Sequence, residues 1–206
     1  MAPVTVTPSG KTLSIEDAEN ADILSRLKTA TAEHHARLDG RVQPELQTLE
    51  GYRRVLPALA TAIRGIEDAL HVWSEPLLNA GFDLRERSKE AWLVLDERAL
   101  DLTVVDWRTA FELTQPAAAF GAVYVVEGAT LGGQVITREV AETLGITPMS
   151  GGRYFFGYGN DTGRMWTRTR ESLQRFAAQG DNDQGMIKGA INTFGLFERA
   201  VEHALG

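Results

Sequence analysis

The chain has 206 residues, a formal net charge of −7 and no cysteine. This length suits a single domain with an ample core, and the excess of acidic residues disfavours a general nucleic-acid-binding protein. The absence of cysteine excludes disulfides, thiolate metal ligands and cysteine nucleophiles. No run of apolar residues approaches the ~18 that span a membrane, and the N-terminus lacks the charged-then-apolar pattern of a signal peptide. We therefore expect a cytoplasmic protein that has neither nucleic acid nor membrane as a partner.

Residues 1–20 differ from the rest of the chain because they are polar and contain two prolines and a glycine. Such a composition does not support a packed core, and we predict a flexible N-terminal tail. From residue 21 the pattern becomes helical and stays so. This change predicts one helical domain over residues 21–206.

Apolar side chains that recur every three or four residues predict the first two helices. The first helix has such a face at Ile23, Leu24, Leu27, Ala30, Thr31 and Leu38, and the second at Tyr52, Leu56, Leu59, Ile63, Ile66, Leu70 and Trp73. Pro57 lies within the second helix and is expected to kink it. Asp83 and Glu86 have the spacing of a capping box, which predicts a third helix that runs to about Leu100.

A long apolar segment of helical length carries glycines in its interior. It is expected to begin after Pro116 and to end at Gly145. Each interior glycine costs a helix roughly 0.5–1 kcal/mol relative to alanine. Gly121, Gly128 and Gly132 are spaced seven and four residues apart, so they share one face of the helix. We interpret this face as bare backbone on which a planar ligand can lie.

Two further helices are predicted after a connection, rich in glycine and aromatic residues, over residues 146–160. Asn160 or Asp161 is positioned to cap a helix that ends near Gly180, and a final helix occupies about residues 183–205. No segment shows sustained strand alternation. The predicted fold class is therefore all-α, a single-domain helical bundle.

Two adjacent histidines on the first helix are candidate ligands for haem iron, because neutral imidazole is a usual axial ligand. His34 points to the middle of the apolar face, so helical geometry favours it as the core residue. His35 lies at the edge of that face near Lys28 and Asp39, where a haem with outward propionates would place its ligand. From spacing alone, a packed core histidine beside a surface histidine is the more common arrangement.

Other kinds of site have weaker support. A di-iron bundle needs two Glu-x-x-His pairs on facing helices, and the nearest match, Asp68 with His71, has no second pair. The Gly-x-Ser-x-Gly elbow of serine hydrolases is absent. An aromatic cluster fits either a ligand-pocket wall or an ordinary hydrophobic plug; it comprises Tyr154, Phe155, Phe156 and Tyr158.

Two motifs carry a family resemblance. Residues 27–39, Leu-Lys-Thr-Ala-Thr-Ala-Glu-His-His-Ala-Arg-Leu-Asp, resemble the proximal-helix motif of haem oxygenases. Residues 124–134, Tyr-Val-Val-Glu-Gly-Ala-Thr-Leu-Gly-Gly-Gln, resemble their distal helix, in the form closest to the bacterial biliverdin-producing branch that includes enzymes supplying bacterial phytochromes. The likeness covers roughly residues 24–204. It extends to Arg87-Ser-Lys89 in the predicted third helix, to Trp166 and to Thr193-Phe194.

The resemblance implies roles for individual residues on the first and the fifth predicted helices. His35, four residues after Thr31, is the implied proximal ligand of the iron, and His34 becomes its neighbour. Lys28 matches a position that binds a haem propionate. Further propionate partners are expected at Arg164 and Arg168, by a looser match.

The distal glycines are the implied catalytic positions, because they lie against the haem in the family. These are Gly128, Gly132 and Gly133. Ala129 departs from the family pattern, since many members carry an aspartate there that orders water near the oxygen ligand. How protons are delivered in this chain is therefore left open.

The implied reaction opens haem to biliverdin with dioxygen and releases iron and carbon monoxide, with haem as both substrate and cofactor. Electrons are expected from an external reductase or ferredoxin, because the chain has no flavin or iron–sulfur motif, and a phytochrome is a candidate recipient of biliverdin. Two alternatives are a non-catalytic haem carrier or sensor of the same fold, and a thiaminase-like hydrolase. The second normally needs a nucleophilic cysteine, which this chain lacks.

Overall fold

The computed structural model describes residues 5–6, 12–13, 22–104 and 109–206. Within these residues the helices are α1 Ile23–Glu45, α2 Leu49–His71, α3 Ser74–Asn79, α4 Glu90–Ala99, α5 Pro116–Leu144, α6 Arg153–Phe156, α7 Thr162–Ala177 and α8 Asp183–Leu205, with 3-10 turns at Leu84–Glu86 and Gly159–Asp161. The predicted all-α fold class is confirmed.

The N-terminal segment also contains a short antiparallel pairing that the sequence analysis did not anticipate. Strand β1, Thr5–Val6, pairs with β2, Thr12–Leu13. The other positions of the predicted tail over residues 1–20 lie outside the described residues. The flexibility of that tail stays a prediction.

Helix α5 begins and ends where local sequence signals predicted. Pro116 is at its first turn, where a missing N–H costs nothing, and Gly145 closes it in a left-handed conformation with φ of 69°. Helix α8 likewise covers the predicted residues 183–205. These limits follow from caps and breakers that act over one turn of chain.

The predicted start of the third helix, at Asp83, is wrong. Asp83 accepts hydrogen bonds from the backbone N–H and the guanidinium of Arg85, and so closes a 3-10 turn instead of capping a long helix. Helix α4 begins at Glu90, and its first turn is held by Glu67 of α2, whose carboxylate accepts from the backbone N–H of Lys89 at 2.5 Å. The Arg87–Lys89 segment therefore lies in a loop before the helix.

Helix α5 is the central helix and packs most extensively against α8, where two glycines allow the backbones to meet. A Cβ on Gly121 would collide with the carbonyl oxygen of Met186, and a Cβ on Gly189 would collide with that of Ala118. Gly121 therefore serves helix packing. The expectation that it shares a bare, ligand-facing surface with Gly128 and Gly132 is wrong.

Helix α5 is also long and apolar enough, by length and composition alone, to cross a membrane, which the sequence analysis did not foresee. One such helix is weak support for a membrane span, because the core helix of a globular protein meets the same criteria. In this fold 56% of its most apolar 18-residue window is buried inside the protein. Its apolar residues are thus used largely in the core.

Buried polar contacts join α4 to its neighbours. Arg64 of α2 donates two hydrogen bonds to Glu97 of α4, at 2.6 and 3.2 Å, and both side chains are buried. Asp96 accepts hydrogen bonds from the backbone N–H groups of Arg153 and Tyr154, each at 2.7 Å. The Asp96 carboxylate therefore holds the first turn of α6, whose side chains form one wall of the candidate site.

Asp96 is expected to contribute a pH-dependent part of the stability. Burial raises the pKa of this carboxyl from 3.8 to about 6, against the opposing effect of the two backbone hydrogen bonds. The folded state therefore keeps the proton in a pH range where the unfolded state has lost it, so this contribution is present below pH ~4 and is lost as the pH rises through about 6. Asp96→Asn removes it. Denaturant unfolding at pH 4 to 8 should show a gap between wild type and variant that changes between pH 4 and 6 and is constant above pH ~7; parallel curves would contradict this role.

Candidate functional site

A cavity of about 610 Å³ lies between α1, α5 and α8. Its size falls within the roughly 300–1,000 Å³ of small-molecule and cofactor sites. Polar side chains of α1 reach it at Lys28, His35 and Asp39. Most of the remaining lining is apolar or aromatic, including Leu59, Val125, Ile136, Tyr154, Phe155, Trp166, Phe194 and Phe197. The cavity thus has apolar walls with a few polar groups gathered on one helix.

Two of the predicted distal glycines face this cavity. A Cβ on Gly132 would meet nothing within 4 Å, and a Cβ on Gly128 would have only the Trp166 ring at 4.0 Å. Ala129 lies between them in the lining. The segment therefore offers the cavity a surface almost free of side chains, as a flat ligand requires.

The third predicted distal glycine has a different neighbour. A Cβ on Gly133 would lie 2.6 Å from the carbonyl oxygen of Phe155 and 3.2 Å from its Cα. Gly133 is buried against the backbone of α6. Its missing side chain allows α6 to approach α5, and Phe155 in turn lines the cavity.

The adjacent glycines Gly132 and Gly133 give a matched test of these placements. Gly133→Ala is expected to lower the free energy of unfolding by about 1–3 kcal/mol, because backbone atoms must move to admit the methyl group. Gly132→Ala meets no atom and is expected to raise it by roughly 0.5–1 kcal/mol through helix propensity. Denaturant unfolding of the two ligand-free variants measures both values. Equal effects of the two substitutions would refute the assignment of their faces.

The two adjacent histidines have different surroundings. His35 lines the cavity, and its Nδ1 lies 2.8 Å from Oδ2 of Asp39, one helical turn later. When Nδ1–H donates to this carboxylate, Nε2 carries the free lone pair that a metal needs. His34 instead lies 3.2 Å from Glu198 of α8 and 2.7 Å from Nη2 of Arg37. The histidine that reaches the cavity is therefore the one at the edge of the apolar face.

The predicted cationic partners are divided between two places. Lys28 lies in the cavity lining, two helical turns before His35. Arg164 and Arg168 lie on an exposed face of α7, outside the cavity lining found among the described residues. Nη2 of Arg164 is 3.1 Å from Asp161, and Nη1 of Arg168 is 4.0 Å from Glu86. Only Trp166, which lies between the two arginines in sequence, reaches the cavity from this part of α7.

Comparisons with known proteins agree with this architecture. Residues 109–203 match the haem oxygenase family model. The chain has the haem oxygenase fold. A haem oxygenase from Neisseria meningitidis, solved with NO and with CO, superposes with a TM-score of 0.75 at 20% identity, over 89% of this chain and 92% of that one.

Two other haem oxygenase structures are similar to the chain. The enzyme from Leptospira interrogans gives a TM-score of 0.69 at 17% identity, over 89% of this chain and 100% of that one. Haem oxygenase-1 from the cyanobacterium Synechocystis, solved in complex with haem, gives 0.70 at 15% identity, over 90% and 93%. No match was found among curated proteins. The family-model match begins after α1 and covers α5 to α7 and most of α8, so the place of His35 depends on the geometry described above.

In this haem oxygenase fold, aromatic side chains from four helices, α5 to α8, complete the cavity wall. The predicted aromatic cluster is divided, since Tyr154 and Phe155 line the cavity whereas Tyr158 does not. Phe194 and Phe197 on α8 also line it, which the sequence analysis did not predict for Phe197. Their spacing of three residues on a helix places them on one face. The spacing from Phe194 was therefore the sequence signal from which the position of Phe197 in the lining could have been predicted.

A buried ion cluster surrounds Glu127, immediately before Gly128 on α5, and was missed by the sequence analysis. Glu127 is 3% exposed and accepts hydrogen bonds from Nζ of Lys89 at 2.7 Å, Nη1 of Arg87 at 2.8 Å and the hydroxyl of Tyr158 at 2.9 Å. Burial by itself lowers the pKa of Lys89, but the Glu127 carboxylate and the Tyr158 side chain together outweigh burial and raise the pKa, which keeps the lysine charged. Glu127 is the only charged residue between Pro116 and Thr137 of α5, and a lone charge in an apolar stretch was the signal for such a partner set.

Proposed function

We propose that the chain is a haem oxygenase that cleaves haem to biliverdin with dioxygen and external electrons, and releases iron and carbon monoxide. The observation that carries this proposal is the joint lining of one cavity by His35 of α1 and by the bare backbone at Gly128 and Gly132 of α5. A planar ligand with an iron centre matches both features. The haem oxygenase fold adds general support.

The residues present fit haem on three grounds. A Cβ at Gly132 would project into open cavity, so the space for a flat ring exists only because the position is glycine. His35 presents an imidazole whose Nδ1 is already occupied by Asp39. Lys28 supplies a cation at the exposed rim of the same cavity, where the propionates of a bound haem would reach solvent.

Each of these residues then has a defined task. His35 would hold the iron through Nε2, and Asp39 would fix the tautomer and the orientation of the imidazole ring. Lys28 binds a propionate through a charge-assisted hydrogen bond, worth roughly 1.5–3 kcal/mol. Bound haem supplies both the iron that activates dioxygen and the ring that is oxidised.

The α5 backbone and the aromatic walls complete the site. Gly128 and Gly132 leave room for a flat ring beside α5, and Trp166 and Phe194 would exclude bulk water from it. The side chain of Ala129 cannot donate a proton. We therefore propose that ordered water beside the exposed backbone would donate hydrogen bonds to the dioxygen substrate instead. Arg164 and Arg168 can join the propionates only by exchanging their present contacts with carboxylates.

The proposal extends to the surroundings of the reaction. An external reductase or a ferredoxin supplies electrons, the biliverdin-producing bacterial branch is the proposed affiliation, and a phytochrome is a candidate recipient of the product. A cytoplasmic location is proposed with it.

The second candidate function is a haem carrier or sensor without turnover. It is favoured by the apolar side chain of Ala129, at a position where an acidic side chain would organise water.

The two histidines provide the test of ligation. His35→Ala is expected to abolish the absorption spectrum of a histidine-ligated ferric haem at one equivalent of hemin, and added imidazole should restore it. His34→Ala, whose side chain contacts Glu198 instead of the cavity, is the control and should keep the spectrum. Loss of the spectrum in His34→Ala with retention in His35→Ala would reverse the assignment.

Turnover separates the enzyme from the carrier. The haem-loaded chain is incubated with dioxygen and a reductase–ferredoxin system, and products are followed by absorption and by carbon monoxide capture. We expect biliverdin and carbon monoxide in equal amounts, with iron recovered by a chelator. Haem that remains intact through many equivalents of electrons would favour the carrier.

A further inference from the structure

The distal segment, defined here as residues 128–133 of α5, has little intrinsic support. Three of its six residues are glycines, which disfavour helix, and one face borders the cavity. Side-chain packing on that face is therefore absent. Whatever holds the segment in place must act from the opposite face.

One support lies immediately before the segment. Glu127 is bound by Lys89 and Arg87, which belong to the loop before α4, and by Tyr158 in the connection between α6 and α7. Both cations are buried, so these contacts are shielded from solvent. The backbone just before Gly128 is thereby tied to two other parts of the fold.

A second support lies immediately after the segment. Nε2 of Gln134 donates to the carbonyl oxygen of Phe156 at 2.6 Å and to Oγ1 of Thr162 at 3.3 Å. Gln134 is seven residues after Glu127, which places the two side chains on nearly the same face of the helix. Both face the α6–α7 region, and Gly133 packs against Phe155 between them.

We infer that Glu127 and Gln134 form a two-point clamp that fixes the distal segment to the α6–α7 region and so sets how closely its bare backbone approaches the ligand. Both are positioning residues, because they act through the helix and do not line the cavity. This role in ligand positioning depends on the proposed haem function. The clamp itself is independent of any ligand.

Hydrogen exchange of the ligand-free chain tests the clamp. Gln134→Met keeps size and helix propensity but removes both amide contacts. Tyr158→Phe removes the contact to Glu127 and the hydrogen bond that Lys89 donates to the hydroxyl, while Lys89 and Arg87 keep Glu127 as their partner. Each should speed amide exchange in residues 128–133 by about five- to tenfold, as expected for loss of one net hydrogen bond. Exchange in α2 should be unchanged.

Gln47→Met is the matched control, since the exposed Gln47 amide also contacts α5, at Glu139 beyond the segment. It should leave exchange at residues 128–133 unchanged. Unchanged exchange in Gln134→Met and Tyr158→Phe would overturn the clamp. Faster exchange spread evenly over the chain would also overturn it, because it would indicate a general loss of stability.

Infrared spectroscopy of the ferrous haem–CO complex tests the positioning role. Gln134→Met and Tyr158→Phe should shift or broaden the C–O stretching band, which responds to the surroundings of the ligand, and Gln47→Met should not. Faster exchange with an unchanged band would overturn positioning. A chain that takes up no haem would instead overturn the proposed function, and the exchange result would still decide on the clamp.

Discussion

Bare backbone on α5 is the feature on which the other parts of the structure depend. At Gly121 it meets α8 and at Gly133 it meets α6, whereas at Gly128 and Gly132 it faces the cavity. Glycine weakens a helix wherever it occurs, so α5 is stable because its other residues are buried in the core. The same residue type thus provides close packing on two faces and open space on a third.

Buried charges connect this helix to segments distant in the chain. Glu127 joins α5 to the Arg87–Lys89 loop, and Asp96 joins α4 to the first turn of α6. Such groups are costly to bury alone, but each carboxylate here has several donors. We attribute to them the placing of short loops, which have too little apolar surface to be held by packing. The cavity wall at Tyr154 and Phe155 is one result.

The candidate site combines an N-terminal helix with a helix from the middle of the chain. Helix α1 supplies the imidazole and the cation, and α5 supplies the bare surface. Neither helix would bind a planar ligand by itself, because a ligand of this kind needs an anchor and a flat face together. The proposed oxygenase and the alternative carrier share this geometry, and they differ in how well protons reach the ligand beside Ala129.

Sequence by itself determined the features that act over one or two helical turns. The helical fold class, the limits of α5 and α8, and the candidate residues on one face of α1 follow from periodicity, caps and breakers, which are local by nature. The family motifs predicted His35 as the iron ligand, whereas the position of His34 in the middle of the apolar face had favoured His34 as the buried histidine.

Only the tertiary structure decided which neighbour each face meets. Gly121, Gly128 and Gly132 have the same spacing signature, yet the first meets Met186 and the others meet open cavity. The partners of Glu127 lie 38 and 40 residues before it and 31 after it, and no local pattern encodes such distances. Arg164 and Arg168 likewise share a predicted face with Trp166 nearby, but packing turned only the tryptophan to the cavity. Local spacing specifies the elements, and the long-range packing of their side chains specifies the site.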